Sequence, residues 1–251
     1  MQTVLDMLKA RKSVRAYEPI PVEAEKKRAL FQAALEAPSA GNLTLFSILD
    51  ITDPALKQRL SVTCDNQPFI ASAPVVLVFI ADYSRWFSLF EQDEPQTRRP
   101  AEGDLLLAFC DALIAAQNVA VAAEAMGLGS CYIGDILERY ETHRALFALP
   151  PYAVPAAMLC IGYPTVQQRA RQKPPRFAME DIVFENAYQP RDLAIMLARR
   201  QGIDGEAFSR YLTAFRKRKW DSAFSEEMSR SCAKMIDSWL KEGTPTDGAS
   251  G

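Results

Sequence analysis

The stretch from Asp104 to Met126, DLLLAFCDALIAAQNVAVAAEAM, decides the fold class of this 251-residue chain. It is apolar nearly all round and is followed by Gly127 and Gly129, which is typical of a long buried helix with a glycine stop. Four polar side chains interrupt the run, at Asp111, Gln117, Asn118 and Glu124. Because such groups are unfavourable in hydrocarbon, the pattern favours a core helix over a membrane span.

Apolar runs on both sides of this helix predict strands. The clearest is PVVLVFIA (Pro74–Ala81), a continuous run with β-branched residues that indicates a strand buried on both faces. LFSILDI (Leu45–Ile51) and AAMLCIGYP (Ala156–Pro164) predict two further strands. SCYIGD (Ser130–Asp135) is compatible with a short strand or a turn, and DIVFEN (Asp181–Asn186) is a last strand-like run.

Helical spacing predicts the elements between the strands. The first helix ends in the basic run Lys9–Lys12, which complements the helix dipole. Further helices are predicted over residues 23–37, 55–62 (capped by Thr52 or Asp53) and 136–146. Strands separated by helices at irregular spacing indicate a sheet wrapped by helices rather than a regular doubly wound fold.

Composition and charge limit the partners and the compartment. The net charge is −2 and the pI is about 5.6, so no general basic field exists and no nucleic-acid or membrane partner is predicted. The five cysteines form no C-x-x-C pair, and the single histidine, His143, cannot build a zinc site with scattered thiols. We therefore expect a reduced cytoplasmic protein without a metal; its first residues, MQTVLDMLKARK, do not match a signal peptide.

Three short segments could bind an anionic or flat ligand. RKSVR (Arg11–Arg15) could bind a phosphate through its cations and hydroxyl, or it could be a solvated helix end. PSAGN (Pro38–Asn42) offers a hydroxyl, backbone N–H groups and an amide, or is a plain turn. GLGSCYIGD (Gly127–Asp135) lets a backbone approach a ligand closely, or is a helix stop before a strand. Cys131 within it has no histidine near in sequence, which favours a structural thiol over a nucleophile.

Two further basic segments follow. QKPPR (Gln172–Arg176) and FRKRK (Phe215–Lys219) are each compatible with a solvated surface, but with Arg11–Arg15 they make three cationic clusters in an acidic protein. That pattern suits a phosphorylated cofactor and a second anionic ligand. After Pro190 the chain becomes largely helical and charged, so we predict a core at residues 1–190 and a helical extension at 191–251, packed on the core or on a partner subunit.

No side-chain catalyst is evident, since no Ser–His–Asp arrangement, phosphate-binding P-loop or zinc-protease motif occurs. Chemistry would then come from a cofactor. The order of the motifs resembles the nitroreductase family of FMN-dependent flavoproteins: RKSVRAYEPIPV, EAPSAGNLTLFSILDITDPALKQRL, GLGSCYIGD, CIGYP, the Lys/Pro/Arg loop and IVFENAY. The resemblance covers about Met1 to Tyr188. The later segment RKRKWDSAF resembles the larger oxygen-insensitive NADPH nitroreductase and flavin reductase branch.

The resemblance implies an α+β fold with a central, mainly antiparallel sheet wrapped by helices. It also implies a homodimer with FMN sites at the subunit interface and exchanged carboxyl-terminal segments, in which DIVFEN would be an edge strand on the partner's sheet. FMN-binding residues carried over by position are Arg11, Lys12, Ser13, Arg15, Ser39, Gly41, Asn42, Gln67, Tyr132, Ile133, Gly134, Lys173 and Arg176. Gly134 would also act in catalysis, with its backbone N–H as a donor to flavin N5.

The sequence departs from the family pattern at two of these places. The late loop has Lys-Pro-Pro-Arg instead of Lys-Pro-Arg, which moves Lys173 one residue out of step with Arg176. Asp135 follows Gly134, where a second small residue is common.

The implied activity is ping-pong hydride transfer from NADPH or NADH to a small-molecule nitroaromatic, quinone or flavin acceptor. Arg216 and Arg218 could bind the ribose 2′-phosphate of NADPH, or they could belong to a solvated helix face. A flavin reductase that supplies reduced FMN would use the same site. A flavin-binding sensor or scaffold without turnover, and an interaction domain without flavin, also stay open.

Overall fold

The computed structural model describes residues 3–241 and divides them into two compact units. The larger is the described part of Met1–Arg171 with Glu227–Gly251, and the smaller is Gln172–Glu226. The division of the chain into a core at residues 1–190 and an extension at 191–251 stays a prediction. Residues 242–251 of that extension lie outside the described residues.

A four-stranded sheet forms the centre of the larger unit. Its strands are β1 (Phe46–Asp50), β2 (Val75–Asp82), β3 (Gly129–Ile133) and β4 (Ala153–Gly162), in the order β1-β2-β4-β3. Every neighbouring pair is antiparallel, which confirms the predicted α+β class. All residues of β2 and β4 are buried, as the continuous apolar runs predict, because helices cover both faces of the two central strands.

Twelve α-helices occur in residues 3–241: α1 (Val4–Ala10), α2 (Ala24–Leu35), α3 (Pro54–Thr63), α4 (Pro68–Ser72), α5 (Ser84–Asp93), α6 (Glu102–Ala125), α7 (Tyr140–Leu146), α8 (Val166–Ala170), α9 (Met179–Ile182), α10 (Leu193–Gln201), α11 (Gly205–Lys219) and α12 (Ala223–Lys241). Asp53 caps α3, as predicted, by accepting a hydrogen bond from the Ala55 N–H at 2.9 Å. A capping box between Thr3 and Asp6 starts α1.

The long helix α6 packs one face on the sheet and leaves another open. Its buried residues are mostly small, which brings the helix backbone close to β2 and β4. On the outward face Leu106 is 65% exposed, and Leu107, Leu113 and Ile114 are exposed too. By length and composition alone α6 could cross a membrane, a test that core helices of soluble proteins also pass. The predicted core helix is therefore confirmed for one face, and the open face lacks a covering element in residues 3–241.

One sequence prediction is wrong. The helix predicted over residues 136–146 is divided, since a 3₁₀ turn covers Gly134–Leu137 and α7 starts only after Arg139, which is left-handed (φ 49°). The strand expected for DIVFEN on a partner's sheet stays a prediction: in the single chain α9 ends at Ile182, and no strand follows in the smaller unit. An isolated segment cannot complete a ladder of hydrogen bonds, and Ile182 and Val183 are 59% and 64% exposed in this chain.

Candidate functional site

The basic segment Arg11–Arg15 follows α1 and runs beside β3. Ser13 and Ser130 form a parallel bridge, and the Val14 N–H donates to the Ser130 carbonyl at 3.0 Å. This approach requires a glycine in β3, because a Cβ on Gly129 would lie 2.5 Å from Val14 Cγ2. Gly129 therefore lets two of the predicted ligand-binding segments, Arg11–Arg15 and Gly127–Asp135, lie side by side.

One face of the segment is directed into the protein. Val14 is buried, and Lys12 Nζ donates to the carbonyls of Arg169 and Arg171, both at 2.6 Å. The Arg171 guanidinium in turn donates to the Ser13 carbonyl. These contacts fix the segment against the end of α8, and they occupy the ammonium group of Lys12.

The other face carries Arg11, Ser13 and Arg15, which surround the buried thiol of Cys131. Burial raises the pKa of Cys131, and the charge of Arg15, a Ser13 hydrogen bond and the charge of Arg11 oppose that rise. Arg11 Nε is buried without a hydrogen-bond partner, and no carboxylate in residues 3–241 pairs with Arg15. These donors fit a bound phosphate, since an unsatisfied buried guanidinium N–H is otherwise costly.

The end of β3 supplies a surface for a flat group. The Arg11 guanidinium lies 5.9 Å from the ring centroid of Tyr132, whose hydroxyl donates to Gln117 Oε1 at 3.3 Å. Burial raises the pKa of Tyr132 to about 12, and the Arg11 charge opposes the rise. Ile133 is buried, whereas Gly134 is exposed and a Cβ placed on it would meet nothing within 4 Å. The chain's own packing therefore does not require a glycine at 134, but a ligand in contact with the backbone would.

The loop Ser39–Asn42 forms a second group. Its backbone is unusual, because Gly41, Asn42 and Thr44 all have positive φ values of 56°, 59° and 54°. Ser39 Oγ accepts from the Thr44 N–H at 3.0 Å, and the exposed Asn42 side chain has no partner among residues 3–241. Asp111 of α6 accepts from the N–H groups of Ala40 and Leu45, a long-range contact that no local sequence pattern indicates.

Gln67 lies apart from both groups. It precedes α4, and its Nε2 donates to the Cys64 carbonyl at 3.0 Å. Within residues 3–241 no hydrogen bond or ion pair joins Arg11–Arg15, Ser39–Asn42 and Gln67 to one another. One chain therefore brings Arg11, Ser13, Arg15 and Tyr132 together, and holds Ser39, Gly41 and Asn42 as a separate group.

The remaining predicted residues belong to the smaller unit. Lys173 and Arg176 lie in the loop before α9, where Arg176 Nη1 donates to the Pro174 carbonyl at 3.3 Å. Arg216 and Arg218 are exposed in the last turn of α11. Arg216 forms an ion pair with Asp221 at 2.9 Å, and the Arg218 guanidinium lies 5.9 Å from the Phe215 ring centroid.

Two buried titratable groups follow Gly134. Glu138 is 5% exposed, and its Oε1 has no hydrogen-bond partner. The pKa of Glu138 is raised to about 7, mainly by burial. The negative charges of Asp135, Asp65 and Glu227 contribute to the rise, and the positive charge of Arg139 opposes it. His143 bonds to the Ile136 carbonyl at 3.0 Å and the Thr63 hydroxyl at 2.8 Å, and burial lowers its pKa. Both ring nitrogens of His143 are thus engaged in the interior.

Comparison with known proteins places these segments in a family. The model of the nitroreductase family matches residues 8–64 and 62–163. An oxygen-insensitive NADPH nitroreductase of Salmonella typhimurium is 32% identical over 93% of this chain and 92% of its own length. An NADPH-flavin oxidoreductase of Vibrio harveyi is 30% identical over 77% of this chain and 78% of its own length. The structure of nitroreductase A from Vibrio parahaemolyticus superposes with a TM-score of 0.80, at 26% identity, over 96% of this chain and 99% of that one.

Proposed function

The chain belongs to the nitroreductase family, and from this premise we propose that it is an FMN-dependent oxidoreductase that uses NAD(P)H to reduce nitroaromatic, quinone or flavin acceptors. The observation that carries the proposal is the buried, unpaired Nε–H of Arg11, beside the strand that ends at the open backbone of Gly134. A phosphate and a flat ring are the groups that such a pair of features accommodates.

The FMN-binding residues act by group. Arg11, Ser13 and Arg15 bind the phosphate and the ribityl chain. Lys173 and Arg176 are further cofactor-binding cations by the family resemblance. Lys12 is also predicted to bind the phosphate. Its hydrogen bonds to two backbone carbonyls attach the segment Arg11–Arg15 to the end of α8. The residues that contact the isoalloxazine and its chain are Ser39, Gly41, Asn42, Gln67, Tyr132, Ile133 and Gly134.

When bound, FMN supplies the redox chemistry, taking a hydride from NAD(P)H and delivering two electrons to the acceptor. The protein contributes position and electrostatics. With FMN bound, the Gly134 N–H would donate a hydrogen bond to the ring, and the missing side chain at Gly134 would let the ring approach the end of β3. Arg11 and Arg15 supply the positive charge that stabilises an anionic cofactor.

We place the site between two subunits of a homodimer. Leu106 and Leu113 on α6, together with Val4 and Leu5 on α1, expose an apolar surface that a second copy would bury. Because Arg11–Arg15 and Ser39–Asn42 share no bond within one chain, a partner could bring the two groups to one flavin. The exposed apolar residues Ile182 and Val183 are available for the proposed exchange of carboxyl-terminal segments.

The electron donor and the electron acceptor are assigned from the basic residues of α11 and from the names of relatives. Arg216 and Arg218 bind the 2′-phosphate of NADPH, in keeping with relatives that are named for NADPH. Free flavin is a second candidate acceptor, because relatives carry the names NADPH-flavin oxidoreductase and FMN reductase (NADPH). We assign the protein to the cytoplasm, where its five free thiols stay reduced.

The test is a visible spectrum of the purified protein with FMN, followed by anaerobic addition of NADPH or NADH. We expect a bound flavin whose yellow band is lost when the nucleotide is added, and turnover with nitrofurazone, quinones or free FMN. A protein that binds FMN but stays yellow would be a sensor or scaffold instead. A protein that binds no flavin would overturn the proposal. Sedimentation of Leu113→Glu against the wild type tests the dimer.

A further inference from the structure

The core helix α6 carries a buried carboxylate, Asp111, that has no cation beside it. Asp111 is 2% exposed, and no Lys or Arg in residues 3–241 forms an ion pair with its carboxylate. The other buried acid of α6, Asp104, is held by Arg98 through bonds of 2.6 and 2.9 Å. Since a buried charge is unfavourable unless its oxygens are hydrogen-bonded, the partners of Asp111 indicate its role.

Both oxygens of Asp111 bond to the backbone of the loop that contains Ser39–Asn42. Oδ1 accepts from the Ala40 N–H at 2.9 Å, and Oδ2 accepts from the Leu45 N–H at 3.0 Å. These two N–H groups stand on either side of the exposed part of the loop. One carboxylate therefore sets the distance between the two ends of the loop and attaches both ends to the core helix.

The loop needs this support because its backbone is in an unfavourable conformation. Thr44 has a φ of 54°, which is a rare value for a β-branched residue, and Asn42 is also left-handed. Such conformations persist only where neighbouring groups hold them. Trp86 Nε1 donates to the Leu43 carbonyl at 2.6 Å, and Arg85 donates to the Thr44 carbonyl at 3.0 Å, so the outer side of the loop is held as well.

We propose that Asp111 is the positioning residue of the flavin-contacting loop: it fixes Ser39, Gly41 and Asn42 in the conformation that receives the cofactor, without touching the cofactor itself. The inference rests on the proposed function for the identity of the ligand. It explains why the buried face of α6 retains an acid without a paired cation, and why the Asn42 side chain is presented on a constrained turn.

The main experiment compares Asp111→Asn with Asn118→Ala. The Asn amide keeps the shape of Asp111 but has one acceptor oxygen, so one loop N–H faces a donor. Asn118 is the matched control, because it also joins α6 to the backbone of another segment: its Nδ2 donates to the Ala33 carbonyl in α2. From flavin-fluorescence titration we expect Asp111→Asn to weaken FMN binding at least about tenfold, a change of about 1.4 kcal/mol, while Asn118→Ala changes it less than about twofold.

A double-mutant cycle separates positioning from general destabilisation. If Asp111 acts through the loop, its substitution should cost less FMN affinity in an Asn42→Ala background than in the wild type. Additive effects, an unchanged Kd in Asp111→Asn, or an equal loss in Asn118→Ala would each overturn the proposal. If Asp111→Asn does not fold, Trp86→Phe removes the outer bond to Leu43 and should weaken FMN binding severalfold; an unchanged Kd would again overturn it.

Hydrogen exchange gives a readout that does not depend on the cofactor. In the protein without flavin, Asp111→Asn should accelerate exchange of the Ala40 and Leu45 amides while the Val78 amide in β2 stays protected. Wild-type protein that binds no FMN would defeat the proposed function, and the exchange rates would then still decide whether Asp111 holds the loop. Unchanged exchange at Ala40 and Leu45 would defeat the inference.

Discussion

Replacement of Gly134 by alanine separates a requirement of the cofactor from a requirement of the fold. A Cβ at this position meets nothing within 4 Å, and the residue does not have a positive φ. Alanine therefore fits the protein without flavin and narrows the unfolded ensemble, which predicts equal stability or a gain of about 0.4–1 kcal/mol. If the backbone at Gly134 contacts the flavin, the added methyl group would lie between the backbone and the ring and move the ring away.

The expected loss of affinity follows from the size of a methyl group. A displacement of 0.5–1 Å forfeits roughly a quarter to a half of the dispersion energy of the facing atoms. The Gly134 N–H would also lose its hydrogen bond to the ring, which contributes about 1 kcal/mol. Together these effects predict FMN binding that is weaker by about 10- to 100-fold, with turnover reduced even at saturating FMN.

The assay pairs thermal unfolding of the protein without flavin with fluorescence titration of FMN. Gly103→Ala is the control, because its Cβ also meets nothing within 4 Å and it lies in the first turn of α6. Gly129→Ala is the opposite case: its Cβ lies 2.5 Å from Val14, so we expect a loss of about 1–3 kcal/mol in stability. Wild-type FMN affinity in Gly134→Ala, with unchanged turnover, would refute the assignment of Gly134 to the site.

Three further predictions concern charged groups. Arg11→Ala with Arg15→Ala should weaken FMN binding at least tenfold, by about 1.5–3 kcal/mol, with little change in apoprotein melting, while Arg28→Ala at an exposed position of α2 leaves both unchanged; retention of full affinity would mean that the segment is a solvated helix end. Lys12→Met should lower apoprotein stability by about 1 kcal/mol, because two carbonyls lose their donor; a fall in FMN affinity alone would favour direct phosphate binding. Glu138 keeps its proton up to about pH 7 in the folded state, against 4.5 as its ordinary pKa, so unfolding free energy falls as pH rises between these values. Glu138→Gln should remove that fall, of about 1–3 kcal/mol, in denaturant titrations at pH 5 and pH 8; equal slopes in both proteins would contradict it.

The sheet could be predicted from the sequence because its central strands are buried on both faces. The runs at Pro74–Ala81 and Ala156–Pro164 coincide with β2 and β4 within a few residues. Local capping chemistry also identified the start of α3 at Asp53. The division at Arg139 was not predictable, since a left-handed arginine carries no pattern in the sequence. The strand expected for DIVFEN depends on a partner that a single chain does not contain, so its apolar alternation could not form a strand by itself.

In the candidate site, too, some residues could be identified from sequence patterns, and others only from contacts in the structure. Arg11, Ser13 and Arg15 were identifiable as a cluster, but the opposite orientation of Lys12 follows from the bridge to β3 and the carbonyls after α8. Asp111 stands out in the sequence as an acid in the middle of a largely apolar helix, a pattern that argues against a membrane span but indicates no partner. Its bonds to Ala40 and Leu45 join residues more than sixty positions apart, a distance that no local pattern spans.

The placement of Asp111 has a consequence for how this site tolerates change. α6 supports the loop through Asp111 and also accepts the Tyr132 hydroxyl at Gln117, six residues or about 9 Å further along the helix. A shift of α6 along its axis would therefore displace both groups that we propose to contact the flavin. Small buried residues such as Ala112, Ala115 and Ala116 hold the helix close to the sheet, so enlarging one of them should move the helix before it disrupts the strands. The precision of the site then depends as much on these alanines as on the residues that touch the cofactor.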